Sequence, residues 1–150
     1  YYENNREGLP HYVQVVKDKD YVYGEHFAPH DIEVTEFSTG KTRREVAYQL
    51  GIRFKILPKI NLEDGIHSLK MVLPKCWFDG ENTKPLVDAL RHHHRKYNEK
   101  MKMFSNKPVK DWSSHAADAA RYMALSITDL PRQKATAQSL AVNEYRIHGE

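Results

Sequence analysis

The sequence predicts an α/β domain, on three observations. Two short runs of β-branched and aromatic residues, 21–28 and 52–57, have strand character. Between and after them lie segments with apolar residues at helical spacing, each opened by a residue able to cap a helix. The chain is 150 residues long, the size of one domain and enough to bury a core. Strands alternating with helices define the class.

Taken in order, residues 1–4 read as the end of a strand and residues 5–8 as a turn. Residues 9–16 suit a helix, with Pro10 tolerated in the first turn and Tyr12, Val13 and Val16 on one side. A polar turn, Lys17-Asp18-Lys19-Asp20, leads into the strand 21–28, which Gly24 weakens. Pro29-His30-Asp31 then falls at the carboxyl end of that strand, where open α/β sheets place their chemistry. A turn Asp after Pro is the plain structural alternative.

Thr39-Gly40-Lys41-Thr42 is not a phosphate loop: a Walker pattern needs a further Gly where Thr35 stands. Thr42 and Glu45 instead form a capping box that starts a helix over residues 43–50, ended by Gly51. Residues 52–57 alternate and form a strand closed by Pro58. Asn61 caps the next helix, whose stripe is Leu62, Ile66, Leu69 and Leu73 before Pro74 stops it. Cys76-Trp77-Phe78 is a short apolar piece and Asp79-Gly80 a turn.

Thr83 opens a longer helix with Pro85 in its first turn and Leu86, Leu90 and Tyr97 facing inward. Within it, His92-His93-His94 cannot converge on one ion, because consecutive helical residues point about 100° apart. With Arg91, Arg95 and Lys96 the run reads as a basic face suited to phosphates. Residues 100–104 alternate, Ser105-Asn106-Lys107-Pro108 turns and Val109 resumes, giving a hairpin that carries Lys100, Lys102, Lys107 and Lys110. Such a hairpin is either a solvated edge or a DNA contact.

Asp111, Ser113 and Ser114 then cap an alanine-rich helix. Asp111, Ser114 or His115, Asp118 and Tyr122 share one of its faces. Ala116, Ala119, Ala120, Met123 and Ala124 supply a small packing surface, close enough to a sheet for Asp118 to reach across to the strands. Residues 132–150 hold few large apolar groups and no stable stripe, so a loose tail or a weak helix is expected there, with 1–130 as the domain and 131–150 as a flexible C-terminal tail.

A net charge of +3 and a pI near 8.9 permit a polyanionic partner without requiring one. No apolar run reaches the roughly 18–20 residues of a membrane span, and no signal peptide is visible. A single cysteine, Cys76, excludes an internal disulfide and fits a reducing cytoplasm.

Two stretches carry a family resemblance. Asp111-Trp112-Ser113-Ser114-His115-Ala116-Ala117-Asp118-Ala119-Ala120-Arg121-Tyr122 closely resembles the last motif of the nuclease domain of tailed-phage terminase large subunits. Ala28-Pro29-His30-Asp31-Ile32-Glu33, followed by Thr39-Gly40-Lys41-Thr42-Arg43, resembles the motif of that family whose Asp is a metal ligand. The resemblance covers about residues 1–125. It implies a ribonuclease-H-like mixed sheet flanked by helices, and an endonuclease that cuts concatemeric DNA with two divalent cations, Mg²⁺ or Mn²⁺. Two such ions about 4 Å apart activate a water and stabilise the leaving oxygen.

Asp31 and Asp118 are the implied catalytic residues and metal ligands. His115, and with it His30, could orient a carboxylate or a water; a helix-start histidine bonded to backbone is the other reading of His115. Lys100, Lys102, Lys107, Lys110 and Arg95 are the expected DNA contacts. Double-stranded DNA is the implied partner, with the portal protein and the small terminase subunit, in the cytoplasm of a host cell. The family's first acidic ligand lies on a leading central strand, which would here precede Tyr1, and Glu3 is the nearest acid. A fragment truncated at its N-terminus, and a poor nuclease by itself, is therefore expected. The rival class is a non-catalytic basic DNA- or protein-docking module, such as a decayed prophage remnant.

Overall fold

A computed structural model describes residues 1–37 and 39–129. The expected tail, residues 131–150, lies outside the described residues. Among the described residues the fold is mixed α/β, with five α-helices and two small sheets. The first half of the chain is built around a parallel pair: β1 (His26–Ala28) lies beside β2 (Phe54–Ile56), in register His26 to Phe54 and Ala28 to Ile56. The connection between them carries a short 3-10 turn, His30–Glu33, and helix α2 (Arg43–Gln49). A crossover of this length is what a parallel pair requires.

Helix α2 starts where the sequence places it. Thr42 accepts from the Glu45 N–H at 3.1 Å while Glu45 accepts from the Thr42 N–H at 2.7 Å, and Gly51 follows with a positive φ of 88°. Helix α1 (Leu9–Lys17) packs on α2 and buries Val13. Residues 1–4 are not a strand. Tyr2 packs instead on Tyr12 and hydrogen-bonds His11 at 2.7 Å, and Tyr12 donates to the Asn4 carbonyl at 2.6 Å. Residues 21–25 are exposed and stand outside the ladder, so the predicted eight-residue strand shrinks to its last three residues.

The second half is a three-helix packing. Helix α3 (Leu62–Val72) opens on the expected cap, Asn61 accepting from the Asp64 N–H at 2.8 Å. Helices α4 (Lys84–His92) and α5 (Ser114–Asp129) complete it. Leu69, Ala120 and Ala124 form the core, with Val72, Leu73, Leu86 and Leu90 against it. The small face of α5 therefore lies mainly on α3 and α4 rather than on a sheet. Its buried residues are Ala116, Ala117, Ala120, Ala124 and Leu125, whereas Ala119 and Met123 are exposed. The stripe follows the i, i+4 ridge that meets two helices at once.

Two further expectations are corrected. Helix α4 ends at His92, not beyond Tyr97: His93 turns extended (φ −63°, ψ 114°) and the chain enters β3 (Arg95–Asn98). Tyr97 is thus on a strand, 48% exposed and edge-on to Phe104 at 5.1 Å. The hairpin exists, with β3 antiparallel to β4 (Met103–Pro108), but it turns at residues 99–102. The Asn98 carboxamide makes that turn by accepting from the N–H groups of Lys100 and Met101, both at 3.1 Å, and Lys102 takes a positive φ of 49°. Pro108 then sits at the end of β4, where a missing donor costs little.

Candidate functional site

Asp31 and Asp118, 87 positions apart, line the same open hollow of about 610 Å³. Each arrives by a different route. Pro29 ends β1 in extended geometry, and the 3-10 turn that follows buries Ile32 and leaves Asp31 exposed at the carboxyl end of the parallel pair. Leu57, buried and bonded from its N–H to the Ala28 carbonyl at 2.9 Å, forms the wall behind it. Asp118, His115, Ala119, Tyr122 and Met123 come from the exposed side of α5.

The two carboxylates are held differently. Asp118 Oδ1 accepts from Arg121 Nη2 at 3.0 Å and from Nε at 3.3 Å. Arg121 also stacks its guanidinium on Tyr122, 4.6 Å from the ring centroid. The Asp31 side chain has no hydrogen bond or ion pair among the described residues; only its carbonyl is used, accepting from the Val34 N–H at 3.1 Å. His115 is exposed on the first turn of α5. His30 faces inward, and its Nδ1 is buried with no hydrogen-bond partner. Glu3 is bound by the Tyr1 hydroxyl at 2.6 Å and does not line the hollow.

Two oxygen donors and a nearby imidazole suit a hard divalent cation in type. They do not form a preassembled centre: the ligand atoms of Asp31, His115 and Asp118 do not all fall within 4.8 Å of one another. Nor does a third carboxylate line the hollow among the described residues. By donor type the two carboxylates suit a divalent cation, and both line the hollow.

The basic residues are spread along the hairpin. Lys100 and Lys102 sit in its turn, Lys107 on β4 and Lys110 beyond it, all exposed and without a carboxylate partner among the described residues. Arg95 differs, because its guanidinium is ion-paired with Glu63 of α3. A larger hollow of about 740 Å³ lies around Lys41, Arg44 and Tyr48, and there Arg44 is paired with Glu33 at 3.2 Å.

The start of α5 holds the polar network that the sequence only partly signalled. Ser113 is fully buried, and its hydroxyl donates to Asp111 Oδ1 at 2.6 Å and meets His93 Nδ1 at 3.2 Å. The Ser113 hydroxyl and N–H, with a smaller contribution from His92, hold the Asp111 carboxyl below the usual carboxylate range. Arg121, with the Gly65 that makes room for it, is a site residue beyond those the sequence predicts. The signal was available as an Asp-x-x-Arg spacing along one helix face. No helix among the described residues is long and apolar enough to cross a membrane. Compared with known proteins, the chain matches no family model, no curated protein sequence and no solved structure.

Proposed function

We propose that the chain is a metal-dependent DNA endonuclease domain of the terminase large-subunit type, with a ribonuclease-H-like core and Asp31 and Asp118 as its acidic pair. The observation that carries this reading is the shared hollow: two aspartates from separate motifs meet at the carboxyl end of the parallel strands. Asp31 and Asp118 would hold Mg²⁺ or Mn²⁺, and such an ion supplies charge neutralisation and an activated water beside a scissile phosphate. Arg121 fixes one oxygen of Asp118 and leaves Oδ2 for other contacts. The exposed lysines of the hairpin would hold double-stranded DNA by phosphate attraction. The portal protein and the small terminase subunit are the partners this reading implies.

The two carboxylates at the hollow fall short of the acidic set that two neighbouring cations demand, so no two-ion step is assigned to the described residues. That shortage supports the second reading, a basic DNA-docking module without cleavage. Mn²⁺ calorimetry and plasmid nicking on the same preparations discriminate the two. Mn²⁺ binding that is lost in both Asp31→Asn and Asp118→Asn, with DNA nicking that needs Mn²⁺, supports the nuclease. Binding of DNA without nicking, and Mn²⁺ binding indifferent to both substitutions, supports docking alone.

A further inference from the structure

The three consecutive histidines end in different surroundings because the helix stops beneath them. In a continuing helix His92 and His94 would point about 200° apart. Here the extended residue between them brings the two rings to 5.5 Å, nearly perpendicular at 89°. A third group arrives from the cap of α5, with Asp111 Oδ2 lying 3.1 Å from His92 Nε2. One ligand atom from each of His92, His94 and Asp111 falls within 4.8 Å of the others, and among the described residues no other three His, Cys, Asp or Glu side chains do so.

We infer that His92, His94 and Asp111 bind a divalent transition-metal ion of the zinc class, at a site separate from the Asp31–Asp118 hollow. Two imidazoles and one carboxylate favour Zn²⁺, Co²⁺ or Ni²⁺ over Mg²⁺, which prefers oxygen alone. In a tetrahedral zinc site, bonds of about 2.0–2.1 Å set neighbouring ligand atoms about 3.3 Å apart. The His92–Asp111 spacing already has that size, so only the exposed His94 ring has to close.

The surrounding groups are arranged as supports. His94 Nδ1 donates to the His92 carbonyl at 2.7 Å, which leaves the Nε2 lone pair for an ion. Asp111 Oδ1 is occupied by the Ser113 N–H at 2.9 Å and the Ser113 hydroxyl at 2.6 Å, so Oδ2 is the oxygen turned to the histidines. Trp112 lies against the His92 ring at 5.0 Å and restrains it. Coordination through His92 Nε2 uses its Nδ1–H tautomer, and three protein ligands leave a fourth position open to water. An ion there clips the junction of α4 and β3 to the start of α5, the helix that carries Asp118.

Calorimetric titration of the untagged chain with ZnCl₂ tests this, together with Co²⁺ absorption in the visible range. The expected result is a one-to-one Zn²⁺ phase, distinct from any weaker binding at the hollow and matched by tetrahedral Co²⁺ absorption, with His92→Gln and His94→Gln each weakening that phase at least tenfold. His67→Gln, an exposed histidine on α3, and Asp118→Asn should leave the affinity unchanged. Loss in Asp118→Asn would move the ion to the hollow and overturn the assignment. Zinc binding that His94→Gln does not weaken, or no one-to-one binding by the unsubstituted chain, would also overturn it. His94 is exposed, so His94→Gln keeps the test valid even where His92→Gln perturbs folding; circular dichroism of each variant checks this.

Discussion

Arg121 reaches back one turn of α5 to Asp118 and crosses Gly65 of α3 on the way. A Cβ built on Gly65 would stand 2.5 Å from Arg121 Cδ and 2.8 Å from Cγ, closer than real side chains come. The arginine side chain is 12% exposed and the aspartate 55%. The cation is therefore clamped between helices while the carboxylate faces the hollow, which makes Arg121 the residue that aims Asp118.

Gly65→Ala tests that clamp. Helix propensity alone would stabilise α3 by about 1 kcal/mol, but overpacking of a filled interior costs about 1–3 kcal/mol. Net destabilisation is the expected outcome, measured by urea unfolding. A gain in stability would mean that Arg121 moves aside without cost.

Asp118→Asn should leave the fold nearly intact. The ion pair it weakens is a helical i, i+3 pair open to solvent on the aspartate side, worth no more than about 0.5 kcal/mol. Metal-dependent nicking should fall at least a hundredfold against any rate the unsubstituted chain shows, with an unchanged thermal midpoint. A large drop in the midpoint would make Asp118 a structural residue instead.

Lys100, Lys102 and Lys107 should act on DNA through charge alone. Each phosphate contact removed lowers the slope of log affinity against log salt by about 0.9, so replacing all three with Ala should flatten it by up to about 3. Binding isotherms on random-sequence duplex at several salt concentrations measure this. An unchanged slope would return the hairpin to a solvated edge.

The capping box gives a pH dependence. The Thr42 N–H and then its hydroxyl hold the Glu45 carboxyl below its ordinary value. A depressed carboxylate contributes stability that is fully present above its unfolded pKa and is lost as pH falls through the folded one. The chain should therefore lose stability between mildly acidic pH and the lowered Glu45 value. Thr42→Ala should cost about 1 kcal/mol at neutral pH and reduce that acid sensitivity, as read by thermal melts from pH 7 to pH 3. Because the Thr42 N–H remains in that variant, Glu45→Gln is measured beside it, and an acid profile identical in Glu45→Gln would assign the loss to other carboxylates.

What the sequence determined by itself is local. Thr42 with Glu45, Asn61 with Asp64, the stop at Gly51 and the exposure of Asp31 just past β1 each depend on residues a few positions apart, where capping and turn chemistry act without tertiary help. The class of fold followed from the same signals. The end of α4 did not, because a basic run with Leu86 and Leu90 before it keeps a helical period until His93 finds the buried Ser113 twenty residues later. That bond, the Val109 N–H on the His94 carbonyl and the pairing of β3 with β4 together hold Tyr97 on a strand. The hairpin turns early for a local reason instead: the Asn98 carboxamide accepts from the Lys100 and Met101 N–H groups and closes the turn there. The meeting of Asp31 with Asp118, the passage of Arg121 over Gly65 and the gathering of His92, His94 and Asp111 were decided only by tertiary packing. Each joins side chains from elements far apart in the sequence, and the Arg121 passage also needs the missing Cβ of Gly65, so none has a signature within a single stretch.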